Sequence, residues 1–278
     1  MRILMVSDVY FPRINGVSTS IETFRGALAD LGIDVDLVAP DYGGDAPRPG
    51  VIRVPAWRVP HDPEDRLAHY GKLRRATLEA AANCDVIHIQ TPFAAHYAGL
   101  HAARTLRKPV LASYHTLFEE YLQHYIPWLP AAMLRGLARR FSRGQCNALD
   151  AVIVPSTAMR QRLREYGVVR PPHVLPTGLP AAVFTPGDGP RFRADQGIAA
   201  DVPVVLFVGR VAHEKNIGFL LEAVALARRD RPDLIFLVTG EGPARPDLER
   251  QAARLGLSDH VRFLGYMDRH RELPAAYA

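Results

Sequence analysis

Short apolar runs alternate with longer stretches of helical periodicity along most of this chain. Ile3-Leu4-Met5-Val6 is continuously apolar, the pattern of a strand buried on both faces. After it Ile21, Phe24, Leu28 and Leu31 recur at helical spacing in a helix that starts near Gly16. Gly32 supplies the stop, since a glycine past the last periodic residue adopts the left-handed conformation that closes a helix. A second strand at Val35 to Ala39 and a Pro- and Gly-rich loop from Pro40 to Gly50 complete a βαβ opening, the unit of a doubly wound sheet.

The alternation continues with strands at Val51 to Val54, Val86 to Ile89, Pro109 to Ser113 and Ala151 to Val154. Helices are expected at 64–82, 94–107, 131–147 and 156–166. The texture changes from Leu175 to Asp201, where Pro176-Thr177-Gly178-Leu179-Pro180 and Thr185-Pro186-Gly187-Asp188-Gly189-Pro190 read as a linker. A second βαβ unit follows: a strand at Val204 to Val208, a helix at 216–230, a strand at Leu234 to Val238, a helix at 246–256 and a strand at Val261 to Phe263. The expected division is a first Rossmann-like domain over 1–175, a linker over 176–200 and a second domain over 201–278. The second has about 78 residues and reaches Ala278 inside a helical pattern, so it is expected to be incomplete against the roughly 100 residues usual for a domain.

Composition narrows the class of protein. Of 278 residues 48% are hydrophobic and 23% charged, enough for a sizeable core. The net charge of +5 suits phosphates, an anionic membrane or nucleic acid alike. Scattered cations without interleaved aromatics argue against nucleic acid. Cys84 and Cys146, without metal-ligand spacing, argue against a disulfide framework or zinc site and fit a reducing cytosol. No apolar stretch is long enough for a signal-peptide core or a membrane span, so a cytoplasmic protein is expected, with any membrane contact peripheral.

Four loops at strand ends carry candidate chemistry. Pro12-Arg13-Ile14-Asn15-Gly16-Val17 opens the first helix, where free N–H groups and the helix dipole suit a diphosphate and Gly16 lets the backbone come close. Alone, it reads rather as an ordinary strand-to-helix turn with Gly for its backbone angles. Gly209-Arg210-Val211-Ala212-His213-Glu214-Lys215-Asn216 puts two cations, Arg210 and Lys215, at the carboxyl end of a sheet, where ligands of such folds bind. In Thr239-Gly240-Glu241-Gly242-Pro243 the glycines permit close approach and Glu241 offers acceptors to a sugar or ribose. His115, in Tyr114-His115-Thr116, is a polar contact at a strand's carboxyl end; a lone histidine is more often structural. The G-x-G-x-x-G of dinucleotide binders is absent, which speaks against a nicotinamide oxidoreductase.

Taken together and in order, Asn15-Gly16-Val17, the Tyr114-His115-Thr116 turn, the G-R-x-x-x-E-K loop and the Gly240-Glu241-Gly242-Pro243 turn resemble the retaining GT-B glycosyltransferases of the fourth sequence family. The resemblance covers essentially the whole chain. It implies two facing Rossmann-like domains, the donor nucleotide held mostly by the second and the acceptor by the first. Gly16 would meet the donor diphosphate, Arg210 and Lys215 would neutralise the departing nucleoside diphosphate, and His115 would hydrogen-bond the donor sugar. Gly209, Gly240, Glu241, Gly242, Tyr266 and Met267 would line the donor pocket. No cofactor or metal is implied, because the two cations supply the charge.

The family's two glutamates eight positions apart are not found in their context. Glu214 with Glu222 and Glu241 with Glu249 have the spacing but lack the Phe-Gly that follows the first, and Asp34-Val35-Asp36 imitates a metal-binding D-x-D on the wrong side of its strand.

The run from Tyr114 to Pro127 is similar to the branch that glycosylates diacylglycerol, and the opening is also similar to a branch using GDP-mannose. A lipid-linked acceptor and a UDP- or GDP-sugar donor are therefore expected, with a GDP-mannose-dependent mannosyltransferase acting on a glycan or polyprenyl carrier as one alternative and a non-catalytic nucleotide-sugar-binding remnant as another. In the stretch 131–147, Met133, Leu134, Leu137 and Phe141 share one helical face and Arg135, Arg139 and Arg143 another, with Arg140 at its edge. Beside Trp128, such a helix suits an anionic membrane at the inner face as well as it suits an ordinary protein surface.

Overall fold

The computed structural model describes residues 1–44, 47–59, 62–115, 130–178, 187–268 and 271–278. The run Thr116 to Trp128 and the linker residues 179–186 thus lie outside the described residues. The chain divides into two compact units, Met1–Leu179 and Pro180–Ala278.

The strands of the first unit are β1 (Arg2–Val6), β2 (Asp34–Pro40), β3 (Val51–Val54), β4 (Ala56–Val59), β5 (Asp62–Ala68), β6 (Val86–Ile89), β7 (Val110–Ser113), β8 (Ala151–Val154) and β9 (Pro172–Val174). Its helices are α1 (Gly16–Asp30), α2 (Tyr70–Ala81), α3 (Ala94–Leu106), α4 (Ala131–Asn147) and α5 (Thr157–Glu165). Seven strands form one parallel sheet in the order β3-β2-β1-β6-β7-β8-β9, so the winding reverses between β1 and β6, where doubly wound folds open a crevice at the strand ends.

The two faces of this sheet are covered differently. Leu4, Val6, Ile87 and Ile89 belong to a core with Leu73 of α2, Ala98 and Ala102 of α3, Ala138 of α4 and Leu163 of α5. Met5 and Leu37 face the other way, against Ile21, Phe24 and Leu28 of α1. Helix α1 ends as expected: Gly32 has φ +72°, and Gly32 N–H and Ile33 N–H bond to Ala29 O and Leu28 O. Leu31, expected on the buried face, is its C-cap and 74% exposed.

Three further elements differ from expectation. The helix expected from 64 begins at Tyr70, because the preceding residues pair as a hairpin in which Trp57 lies opposite Leu67 and Arg58 opposite Arg66. The expected linker 176–200 holds a helix, α6 (Gly189–Asp195), whose N-cap Asp188 accepts from Arg191 N–H, a local signal the Gly and Pro content obscured. The apolar stripe of α4 divides: Leu134 and Ala138 are 2% and 1% exposed, whereas Met133 and Leu137 are 46% and 53% exposed, on the arc that also carries Arg140.

The second unit contains β10 (Val204–Val208), β11 (Ile235–Thr239) and β12 (Val261–Gly265) in a parallel sheet of that order, with α7 (Ile217–Ala227), α8 (Arg245–Arg254) and the short α9 (Leu273–Tyr277). Central β11 is buried along its whole length. Phe236 and Val238 pack on Ile217, Leu221, Val224 and Leu248 of the helices; Ile235 and Leu237 pack on Ile198 across the opposite face. Helix α9 lies against the start of α6, so closely that a Cβ at Gly189 would stand 2.6 Å from the Ala278 carbonyl carbon.

Candidate functional site

Two sets of candidate residues gather at carboxyl ends of strands, one in each unit. In the first unit, the loop after β1 is tied to the start of α3. The Asp8 carboxylate accepts from Thr91 Oγ1 at 2.7 Å and from Ala95 N–H at 3.0 Å, capping α3, while Asp8 N–H donates to Thr91 Oγ1 at 2.7 Å. Burial raises the Asp8 pKa despite these hydrogen bonds, which pull it the other way.

Helix α1 starts from an extended Asn15 whose side chain accepts from Ser18 N–H at 2.8 Å. Gly16 is exposed, and a Cβ built on it would meet nothing within 4 Å. The opening of α1 thus carries exposed backbone with open space beside Gly16.

His115 follows β7, and its Nε2 stands 3.4 Å from Oε1 of Gln90, which follows β6. One step deeper, His88 Nε2 lies 2.9 Å from Ser113 Oγ. Register pairs His88 with Met5, so these groups face the α1 side of the sheet. Burial lowers His115 to a pKa of about 4 and His88 to about 3, the latter also through repulsion from His115; both rings are neutral near pH 7. Sequence reasoning found His115 and missed Asp8 and Gln90. The available signal was a polar residue immediately after an apolar strand run, where a parallel sheet presents side chains to a ligand.

In the second unit the loops after β10 and β11 are laced together by their backbones. Gly209 N–H bonds Thr239 O at 3.0 Å, Val211 N–H bonds Glu241 O at 2.9 Å, Ala244 N–H bonds Val211 O at 3.1 Å and Gly240 N–H bonds Gly265 O at 2.7 Å. Gly240 and Gly242 are needed for this contact: a Cβ on Gly242 would lie 2.2 Å from Val211 O. The close approach that these glycines permit is thus to neighbouring backbone.

On this scaffold Arg210 and Lys215 are both exposed, and neither side chain has a partner among the described residues. Lys215 ends a single 3-10 turn, His213–Lys215, from which Asn216 leads with φ 49° into α7. Glu241 is engaged: its Oε1 accepts from Arg245 Nη1 at 2.6 Å, and Arg245 also holds Glu249 at 2.8 Å while lying over the Phe263 ring. The Glu241–Glu249 pair is therefore a clamp on one arginine, which supports setting it aside as the family's glutamate pair. Tyr266, just past β12, is 71% exposed, and Met267 beside it is half-buried. Asp34 begins β2 at the amino edge of the first sheet and pairs with Arg2 at 3.6 Å, away from the carboxyl ends.

Comparison with known proteins gives a consistent result. Residues 14–183 match the family model Glycosyltransferase Family 4, and residues 188–278 match Glycosyl transferases group 1. The chain is 32% identical over 274 residues to an alpha-monoglucosyldiacylglycerol synthase of Streptococcus pneumoniae, covering 95% of this chain and 61% of that relative. It is 27% identical over 255 residues to a GDP-mannose-dependent alpha-mannosyltransferase of Mycolicibacterium smegmatis, covering 90% of this chain and 65% of that relative. In fold it resembles the Anabaena HepE structure in complex with UDP and glucose, with a TM-score of 0.72 at 19% identity, over 99% of this chain and 71% of that one.

Proposed function

The chain belongs to Glycosyltransferase Family 4, and we propose that it is a retaining hexosyltransferase that moves a sugar from a UDP- or GDP-sugar to a lipid-linked hydroxyl, diacylglycerol being the favoured acceptor. The observation that carries this reading is the pair of cations, Arg210 and Lys215, without a partner among the described residues, on a loop locked to the Gly240–Gly242 turn at the carboxyl end of the second sheet. Fixed positive charge there suits a leaving nucleoside diphosphate, whose negative charge grows as the glycosidic bond breaks. Gly16 and the start of α1 offer backbone N–H groups to the same class of anion. His115, neutral and a hydrogen-bonding group, suits the donor sugar. Glu241 retains Oε2 for a ribose or sugar hydroxyl, and Gly209, Tyr266 and Met267 stand at the carboxyl ends of the same second sheet.

The names of the relatives favour this reading, one being an alpha-monoglucosyldiacylglycerol synthase and another a GDP-mannose-dependent alpha-mannosyltransferase. A mannosyltransferase acting on a glycan or polyprenyl carrier is the second reading. Arg210 and Lys215 supply the charge that a divalent ion supplies elsewhere, so the reaction is proposed to run without metal. Among the described residues no helix is long and apolar enough to cross a membrane. The exposed Met133 and Leu137 with Arg140 on α4 suit peripheral contact with an anionic leaflet, at the cytoplasmic face. The deciding experiment is transfer from a panel of UDP- and GDP-sugars to diacylglycerol and to glycan acceptors. Transfer from neither class of donor would overturn the proposal.

A further inference from the structure

Gln90 is a residue that neither the motifs nor the family resemblance singled out. It is 1% exposed, sits at the carboxyl end of β6, and has its backbone pinned by a 2.9 Å bond from its N–H to Val6 O. Its side-chain oxygen stands 3.4 Å from His115 Nε2, and its side-chain nitrogen is buried with no hydrogen-bond partner among the described residues. His115 is pinned in turn through its neighbour, since Tyr114 N–H bonds Ile153 O at 2.8 Å and Tyr114 hydroxyl pairs with Ser142 Oγ at 2.8 Å. Two adjacent strand ends thus hold one imidazole and one amide side by side.

Two facts give this pair a chemical direction. A neutral imidazole carries one proton, and an amide oxygen opposite Nε2 places that proton on Nε2, leaving Nδ1 as an acceptor. An amide buried at a strand end is held in one place, so its oxygen keeps a fixed position opposite the ring. A sugar hydroxyl is the kind of donor that an acceptor Nδ1 takes. The 3.4 Å separation is at the long end of hydrogen bonding, as such contacts often are before a ligand tightens them.

We infer that Gln90 is the positioning residue of His115: its side-chain oxygen fixes the ring as the Nε2–H tautomer, so that Nδ1 is presented as an acceptor to a hydroxyl of the hexose. This rests on the proposed transferase reading only for the identity of the ligand.

The test is the imidazole nitrogen spectrum of His115 in the 278-residue chain, assigned by comparison with His115→Gln. In the unaltered chain near pH 7 the ring is expected to be a single Nε2–H tautomer whose proton exchanges slowly with water. In Gln90→Leu that proton is expected to broaden with fast exchange and both tautomers to appear. Gln90→Glu keeps an acceptor and should restore the single tautomer, while raising the pH at which His115 protonates by about one unit or more, because a carboxylate beside the ring favours its charged form. An Nδ1–H tautomer in the unaltered chain, or a Gln90→Leu ring spectrum that does not change, overturns the inference. If Gln90→Leu does not fold, the unaltered chain and Gln90→Glu still decide it. Addition of UDP-glucose or GDP-mannose should then move the Nδ1 resonance. If the tautomer results hold and neither donor moves it, the positioning role survives and the donor-sugar reading of His115 fails.

Discussion

Gly240 sits so close to Gly209 that a Cβ built on it would stand 2.0 Å from the Gly209 carbonyl oxygen. Gly240 also has φ +115°, a conformation that L side chains rarely adopt. The contact joins the loop carrying Arg210 to the turn carrying Glu241, so it sets where the cations stand. Gly240→Ala is expected to destabilise the second unit by roughly 3 kcal/mol, combining backbone strain with a clash that no side-chain rotation relieves. Denaturant unfolding of the two units, followed separately by hydrogen exchange, checks this; a loss spread equally over both would contradict it.

Gly16 should behave in the opposite way. With nothing within 4 Å of its Cβ position, Gly16→Ala is expected to change stability by no more than about 0.5 kcal/mol. Its effect should fall on the approach of a diphosphate to the start of α1. Calorimetric titration with UDP and GDP reads the binding, and a thermal melt reads the stability.

Lys215→Ala and Arg210→Ala remove exposed charges with no partner among the described residues, so the fold should be unaffected. Transfer is expected to drop roughly 100- to 1,000-fold for each, the usual cost of removing one preorganised group that stabilises developing charge. Activity should persist in a chelator. Transfer lost on chelation and restored by manganese would mean that a divalent ion does this work.

The histidines predict a pH dependence of the first unit. His88 is held at a pKa of about 3 in the folded chain against 6.5 when unfolded, so its folded value is depressed. The unfolded chain then binds a proton that the folded one refuses, and stability is full above about pH 6.5 and falls as pH drops toward 3. Between pH 7 and pH 5 the loss from His88 is roughly 2 kcal/mol, and the lowered His96 and His115 act with the same sign. His88→Gln keeps a hydrogen-bonding group for Ser113 and should flatten the profile. Urea midpoints at the two pH values measure the difference.

Vesicle binding tests the exposed arc of α4. Met133→Ser with Leu137→Ser, or Arg140→Glu, should weaken sedimentation with phosphatidylglycerol vesicles without lowering the melting temperature, since these side chains are exposed. Equal sedimentation with pure phosphatidylcholine would contradict a role for charge.

The strands were legible because a sheet covered on both faces demands short, mainly apolar runs: β10 is apolar throughout, β6 is broken only by His88, and β7 and β11 turn polar only at their last residue. The Gly32 stop and the loops carrying His115, Arg210 and Lys215 were equally local, since a helix stop or a strand end is written in a few adjacent residues. The hairpin of β4 and β5 was not, because Trp57 and Leu67 find each other across a turn and no helical or strand period within 64–69 announces it. Helix α6 was hidden by the Gly and Pro around its start.

Other features exist only in three dimensions. Which face of α4 is buried depends on what packs against it: Leu134 and Ala138 meet the core, while Met133 and Leu137, one turn apart on the same apolar stripe, do not. Gly240 and Gly242 looked like room for a ligand, yet the space is taken by the carbonyls of Gly209 and Val211. Gln90 and His115 are 25 residues apart and become neighbours only because β6 and β7 lie side by side in register. Local propensity and apolar period therefore determined the elements and the loops that carry charge. Which side chains meet, and which stay unpartnered, was decided by the sheet that brings distant strand ends together.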